Sequence, residues 1–272
     1  MSETVEQAMN VINARDVMSI DLAVVLGAGL GSAADGLDDP IAIPYADLPG
    51  FPQGQSEPDG VLVVANVEGL NVAFMRGRSE FHETGDAAAM AAPLETLAML
   101  GATNFILTSG VGSVRGDMHP GNLVLITDHI NFGGLNPLIG MSSDGGFISL
   151  TDAYDPKLFR RLKRATLHCG VQTHEGVMMW FSGPSFETPA EIRMARTLGA
   201  DVVTTSMVPE IILARRLGVN VAAVGAVTHY GAGFQGGAPS HGQTLKQAQA
   251  TAIGLRRLLR VFPKTRELAT VG

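Results

Sequence analysis

Short, continuous apolar segments that alternate with helical patterns place the strongest constraint on how this 272-residue chain can fold. The segments cover residues 22–26, 61–67, 72–75, 105–107, 123–126, 177–181, 202–204 and 219–227. They are apolar throughout rather than at every second position, which is typical of strands covered on both faces. Helical periodicity occupies residues 87–100, 156–168, 190–198, 210–217 and 245–262. This alternation predicts an α/β fold whose mixed, mostly parallel central sheet is wrapped by helices.

The chain has enough apolar material for one large core, because 46% of its residues are hydrophobic and only 17% are charged. No internal repeat, low-complexity tract or linker divides it. We therefore expect a single domain over residues 21–272, preceded by an N-terminal helix or arm over residues 1–20. Glycine follows four of the predicted helices and suits a left-handed helix end, whereas Pro93 is expected to bend the helix at 87–100.

Charge and cysteine content narrow the class of protein. The net charge of −7 argues against general nucleic-acid binding, although local donors can still hold a phosphate. Cys169 is the only cysteine, which excludes an intrachain disulfide and fits a reducing compartment. No apolar run approaches the ~18 residues of a membrane span, and the acidic N-terminus lacks the basic segment of a signal peptide. These features predict a cytoplasmic protein without membrane contact.

A glycine-rich turn follows the first predicted strand, in the order Gly27-Ala28-Gly29-Leu30-Gly31. Backbone N–H groups in such a turn, before an expected helix, can approach an anion. It is not a Walker loop, because no Gly-Lys-Ser/Thr follows, and it lacks the third glycine of a dinucleotide-binding fingerprint. Two interpretations stay open: a phosphate-binding turn or a tight connection.

A second group of polar residues surrounds the strand predicted at 202–204. Phe186 and Glu187 lie in a loop before an amphipathic helix, and Thr205 and Ser206 follow the strand directly. The carboxyl end of a strand is where open α/β sheets bind ligands. Glu187 could equally be a solvent-facing acid beside a helix N-terminus, but its place in this order favours a ligand site.

Ordered motifs over residues 21–262 resemble the trimeric purine nucleoside phosphorylases, and are also similar to methylthioadenosine phosphorylases. They lie at residues 27–31, 48–52, 77–83, 128–131, 136–137, 151–155, 183–210, 227–229 and 239–241. The resemblance implies a homotrimer that cleaves the N-glycosidic bond of purine nucleosides with inorganic phosphate, giving free base and ribose 1-phosphate in purine salvage. It implies phosphate as co-substrate, no cofactor and no metal. His119, His129, His168 and His174 show no zinc-like spacing either.

The resemblance assigns the base site to three residues. Phe186 matches an aromatic that packs on the purine, and Glu187 matches the carboxylate that hydrogen-bonds the ring edge. His229 replaces an Asn that serves the N7 edge, where an imidazole can donate or accept depending on its tautomer. Glu187 leans weakly toward 6-oxopurines, so the preferred base stays open.

The resemblance also assigns the sugar site. Thr205 lies where the family usually has a Met beneath the ribose. His82 aligns with a sugar-contacting Tyr, unless a register shift brings it into the phosphate role instead. His241 aligns with a histidine that reaches the 5′-hydroxyl. Together with Glu187 and His229 of the base site, it completes the set of candidate catalytic residues. Phe147 aligns with an aromatic that the family donates to the neighbouring subunit's sugar pocket.

The phosphate site departs from the family pattern. The resemblance places it at Gly29, Arg78, Gly110 and Ser206. Ala28 replaces a Ser or Thr hydroxyl, a loss of about 1.5–3 kcal/mol. Glu80 replaces a His, and a carboxylate ~4 Å from a phosphate charge is repelled by about 4 kcal/mol at an effective dielectric of ~20. Glu80 is the more serious change unless it turns away, pairs with a cation or is protonated.

Three functions therefore remain open. The first is a phosphorylase with an altered phosphate pocket. The second is a nucleoside hydrolase that uses water, with Glu80 as general base. The third is a nucleoside-binding protein in which Ala28 and Glu80 have abolished catalysis.

Overall fold

A computed structural model describes residues 2–53, 60–141, 147–235 and 239–265 of the chain. The helices are α1 Glu3–Asn13, α2 Phe81–Thr84, α3 Ala91–Met99, α4 Pro156–Cys169, α5 Pro189–Thr197, α6 Val208–Arg216 and α7 His241–Val261. The strands are β1 Leu22–Leu26, β2 Ile41–Pro44, β3 Val61–Val67, β4 Leu70–Arg76, β5 Asn104–Ser113, β6 Leu123–Asn131, β7 Thr173–Trp180, β8 Val202–Thr204 and β9 Asn220–Tyr230.

The strands form one mixed sheet in the order β2-β3-β4-β1-β5-β8-β7-β6-β9. The pairs β1–β4, β1–β5, β5–β9, β6–β7 and β7–β8 are parallel, and the other four are antiparallel. Because β5 also pairs with β9, the strands from β5 to β9 close into a ring. The expected α/β fold with a mixed central sheet is confirmed.

The sheet is buried on both faces, which explains the continuous apolar segments. All five residues of β1 are buried. Ala23 and Val25 belong to one core cluster, whereas Val24 and Leu26 belong to a second, so successive side chains enter opposite layers. Helix α7 packs into the second layer, where Leu255 is fully buried.

Five strands, β4, β5, β6, β7 and β9, are longer than their apolar segments. β5 continues to Ser113 and β9 continues to Tyr230, because their parallel ladder persists past the apolar residues. A register shift between Val111 and Gly112 brings Gly112 opposite His229. β2 is a further strand that the sequence pattern did not predict. It tolerates Pro44 because it is an edge strand that ends at this residue.

Two helical expectations are wrong. The segment predicted at 87–100 becomes helical only at Ala91, so Pro93 lies in the first turn, where its missing N–H breaks no hydrogen bond and requires no bend. The glycine turn leads into a single 3-10 turn, Gly31–Ala34, rather than a helix. The left-handed glycines after α4, α5 and α6 are confirmed, since Gly170, Gly199 and Gly218 have positive φ.

The N-terminal segment packs onto the main core. Ala8 and Ile12 of α1 share a buried cluster with Leu94 and Leu97 of α3. The domain boundary expected at residue 20 stays a prediction. Within the ranges that the structure describes, no helix has the length and apolar character needed to cross a membrane.

Candidate active site

A cavity of about 480 Å³ opens where β1, β4, β5, β8 and β9 end, a volume typical of small-molecule sites. Ten residues proposed from the sequence line it: Ala28, Glu80, His82, Gly110, Phe186, Glu187, Thr205, Ser206, His229 and His241. β1, β4, β5 and β9 run parallel, so their carboxyl ends meet at one edge. β8 runs antiparallel to β5, and its end returns to Gly110, whose carbonyl accepts from Thr204 Oγ1 at 3.4 Å.

The glycine turn supplies one wall through close backbone packing. A Cβ added at Gly27 would lie 2.9 Å from Ser109 Cα, so the turn rests directly on β5. Gly29 has φ 75°, and a Cβ there would lie 2.9 Å from both Leu245 Cδ1 and Ala248 Cβ of α7. Ala28 therefore lines the cavity, whereas Gly29 lies against α7 and outside the lining.

Phe186, Glu187 and His229 form the first cluster in the cavity. The rings of Phe186 and His229 meet edge to face, with centroids 5.4 Å apart. Burial raises the pKa of the Glu187 carboxyl, helped by the nearby charge of Glu191 and opposed by a hydrogen bond from the backbone. Burial lowers the pKa of His229 to about 4, so its ring is neutral at pH 7.

Glu80 and Ser206 form the second cluster. Ser206 Oγ donates to Glu80 Oε1 at 2.6 Å, and Arg78 Nε lies 3.7 Å from the same oxygen. Burial raises the pKa of Glu80 to about 7, with Arg78 and Ser206 lowering it and Glu210 and Glu83 raising it further. Glu80 therefore does not turn away from the cavity, and it exchanges its proton near neutral pH.

Arg78 lies behind Glu80 and outside the lining. It is 4% exposed; its Nη1 donates to Glu210 Oε1 at 2.8 Å, and its Nη2 donates to the Thr108 carbonyl. Along the described part of the cavity wall there is no Lys or Arg. Phosphate binding by Arg78 stays a prediction, and it requires the guanidinium to exchange these partners for phosphate.

The sugar-site candidates are divided between the cavity and the surface. Thr205 and His82 both lie close to Gly183, where an added Cβ would be 3.1 Å from Thr205 Cγ2 and 3.5 Å from His82 Nδ1. His241 is the first residue of α7, and Ser240 caps that helix. Phe147 is fully exposed and lies outside this chain's cavity.

Several further residues contribute to the site although sequence reasoning gave them no role. Glu83 and Thr244 line the cavity. Thr228 also lines it, and its Oγ1 lies 3.2 Å from the Val111 carbonyl oxygen and 2.9 Å from His229 Nδ1. A hydroxyl residue directly before a candidate histidine was the signal for Thr228. Among the described residues, no group of three or more His, Cys, Asp or Glu could hold a metal ion.

Comparison with known proteins identifies the family. A model of the phosphorylase superfamily matches residues 21–262. The chain is 34% identical over 266 residues to purine nucleoside phosphorylase 1 of Bacillus subtilis, covering 96% of this chain and 98% of the relative. The chain belongs to the purine nucleoside phosphorylase family. This membership confirms the resemblance found in the sequence motifs.

Other members of the purine nucleoside phosphorylase family agree in sequence and fold. The Mycobacterium tuberculosis enzyme is 39% identical over 241 residues, covering 88% of this chain and 87% of the relative. The crystal structure of Schistosoma mansoni purine nucleoside phosphorylase in complex with adenosine has a TM-score of 0.89 and 30% sequence identity, covering 96% of each chain.

Proposed function

We propose that this chain catalyses the phosphorolysis of purine nucleosides to free base and ribose 1-phosphate. The observation that carries the proposal is a single cavity, in a chain of this family, that holds an aromatic–carboxylate–imidazole cluster and a hydroxyl–carboxylic acid cluster. Thr228 backs His229, and its Cγ2 would lie 3.2 Å from a Cβ added at Gly110, which lines the same cavity.

The first cluster binds the leaving base. The bond between C1′ and N9 breaks, its electron pair moves into the purine, and a phosphate oxygen forms the new bond to C1′. Phe186 packs on the purine face, Glu187 faces the N1 edge and His229 faces the N7 edge. Hydrogen bonds aimed at the purine stabilise the charge that it acquires as it departs, while the sugar becomes oxocarbenium-like.

The sugar and phosphate lie toward the remaining walls. Thr205, His82 and His241 contact the ribose, with His241 at the 5′-hydroxyl. Phosphate binds beside Ser206, Gly110 and Ala28, and the protonated form of Glu80 donates a hydrogen bond to it.

Two predicted phosphate residues act through the backbone or from a distance. Gly29 contributes through the backbone of its turn. Arg78 supplies positive charge from behind Glu80, since its guanidinium is only 3.7 Å from that carboxyl. Phosphate is the co-substrate, and we propose no cofactor or metal.

We further propose a cytoplasmic homotrimer in which Phe147 enters the neighbouring subunit's sugar pocket. Apolar side chains between β6 and α4 support such a contact: Phe147 is fully exposed, Ile139 is 80% exposed and Phe132 is 46% exposed. The lone Cys169 fits a reducing compartment. Light scattering tests the assembly, which should have three times the mass of the 28.5 kDa chain; a monomeric mass contradicts it.

The experiment that tests the function measures purine release from adenosine, inosine and guanosine with and without phosphate. We expect release that requires phosphate and produces ribose 1-phosphate. Glu187→Gln should lower kcat/KM by about tenfold or more, whereas Glu175→Gln, a partly exposed carboxylate outside the cavity, is the matched control. Nucleoside binding without turnover, or turnover without phosphate, would contradict the proposal.

A further inference from the structure

His229 is held from behind by Thr228, and its other ring nitrogen lies over the cavity wall. Nδ1 lies 2.9 Å from Thr228 Oγ1. A Cβ added at Gly112 would lie 2.7 Å from Nε2, so this nitrogen lies directly over a glycine that lines the cavity. Within residues 2–53, 60–141, 147–235 and 239–265, Nε2 has no hydrogen-bond partner.

Counting hydrogens assigns the tautomer of the His229 ring. Thr228 has one hydroxyl hydrogen, and the Val111 carbonyl, which can only accept, lies 3.2 Å from its Oγ1. The contacts of Thr228 Oγ1 with Val111 and with His229 are both hydrogen bonds in only one arrangement. The hydroxyl hydrogen goes to the Val111 carbonyl, and His229 Nδ1 carries a hydrogen that it donates to Oγ1. The ring is neutral at pH 7, because burial lowers the pKa of His229 to about 4. Nε2 is therefore an unprotonated acceptor.

The two classes of purine differ on the edge that faces His229. At its N7 edge a 6-aminopurine offers an N–H from the exocyclic amine beside the N7 acceptor, whereas a 6-oxopurine offers two acceptors. An unprotonated Nε2 can accept a hydrogen bond only from the 6-aminopurine. A 6-oxopurine leaves that nitrogen facing another lone pair, an unsatisfied contact in a partly desolvated site.

We propose that the Nδ1–H tautomer of His229, fixed by Thr228, makes this site selective for 6-aminopurine nucleosides over 6-oxopurine nucleosides. The inference rests on the proposed function, in particular on the N7 edge facing His229. It reverses the weak lean toward 6-oxopurines that Glu187 alone indicated.

Glu187 is compatible with this preference. The residue is 8% exposed, and burial raises the pKa of its carboxyl, which shifts its ionisation toward the neutral acid. A neutral carboxyl donates through its O–H to the N1 acceptor of a 6-aminopurine and accepts through its carbonyl oxygen from the exocyclic amine. His229 and Glu187 then use both hydrogens of the same amino group, one on each edge.

The first test compares kcat/KM for adenosine and inosine at saturating phosphate. One unsatisfied acceptor corresponds to a preference of roughly tenfold or more, so adenosine should be favoured by at least about that factor. Equal rates or a preference for inosine would overturn the inference. If neither nucleoside is cleaved, the proposed function fails, and calorimetry with adenine and hypoxanthine then tests the inference alone: tighter binding of hypoxanthine overturns it.

The second test observes the tautomer directly. Nitrogen-15 NMR of the histidine ring should show a pyrrole-type Nδ1 and a pyridine-type Nε2 for His229. A protonated Nε2 in the wild-type protein overturns the inference whatever the activity.

Two matched substitutions at Thr228 distinguish a residue that positions the His229 ring from one that only stabilises the fold. Thr228→Val removes the hydroxyl and should release the tautomer and bring the adenosine-to-inosine ratio close to one. Thr228→Ser keeps the hydroxyl and should keep both the tautomer and the ratio. His229→Asn, whose amide can donate or accept, should also lose the preference. A ratio that survives Thr228→Val in a folded protein assigns selectivity to other residues and overturns the inference.

Discussion

Ser206 donates its hydroxyl hydrogen to Glu80 Oε1 across 2.6 Å, which commits the hydroxyl expected to bind phosphate to a carboxyl in the same cavity. When Glu80 is protonated, its O–H is available to an anion and Ser206 is released from the carboxylate charge. The state of one proton therefore determines whether phosphate meets a carboxylate charge beside Ser206.

Phosphate affinity should depend on the Glu80 proton. Because the pKa of Glu80 is about 7, we expect the apparent KM for phosphate to be flat below pH 7 and to rise roughly tenfold per pH unit above it. Glu80→Gln is a neutral mimic of the protonated acid and should remove this rise. Because Glu80→Gln has no carboxyl to titrate at this position, the pH dependence of its KM for phosphate gives the contribution of phosphate's own ionisation. Parallel profiles for the two proteins would count against the role of Glu80.

Glu80 should also make stability depend on pH. Its pKa rises from 4.5 in the unfolded chain to about 7 in the folded one, so unfolding releases a proton between these values. The free energy of unfolding therefore falls as pH rises from 4.5 to 7. Relative to wild type, Glu80→Gln should gain on the order of 3 kcal/mol between pH 4.5 and pH 8, measured by urea unfolding. A constant difference across this range would refute the assigned shift.

The buried ion pair between Arg78 and Glu210 should be costly to break from one side. Arg78→Met leaves two buried carboxyls without their cation and should lower the free energy of unfolding by about 3–5 kcal/mol. Adding Glu210→Gln should recover part of this loss. The control is Arg76→Met, because the Arg76–Asp35 pair is 40% and 47% exposed and should contribute less than about 1 kcal/mol. If Arg76→Met and Arg78→Met lower the free energy of unfolding equally, the buried ion pair is not costly to break.

The glycine turn should tolerate a methyl group poorly. Gly29→Ala places a Cβ 2.9 Å from Leu245 and Ala248 at a positive φ, for a cost of about 2–4 kcal/mol. Gly199→Ala has the same kind of backbone strain with no atom within 4 Å of the added Cβ, so about 1 kcal/mol is expected there. Urea midpoints compare the two variants. If Gly199→Ala is as destabilising as Gly29→Ala, packing against α7 is not the cause.

The fold was predictable wherever burial alone dictates the pattern. β1, β3 and β8 have the predicted bounds, because every strand of this type must be apolar on both faces. β5 and β9 were predicted too short, since hydrophobicity ends where their polar residues begin to line the cavity. Thr228 and His229 therefore lay outside the predicted strand although they belong to β9.

The candidate site was predictable in composition and less so in orientation. The order of motifs named most of the lining, but no local pattern shows which way Arg78 faces. Its principal partner, Glu210, is 132 residues away, so only the assembled fold brings the two together. The tautomer of His229 likewise depends on a carbonyl at Val111, on a different strand.

β5 pairs with β1, β8 and β9, and this arrangement has a consequence for motion. Local opening of β5, which forms the floor of the cavity, must disrupt its ladders with all three strands together. Amide exchange in β5 should therefore approach the rate set by global unfolding. Nucleosides then enter and leave past the rim, where Phe186 and His241 are exposed. A new base preference can therefore arise from changed side chains on a rigid sheet, without any change in the backbone that forms the cavity.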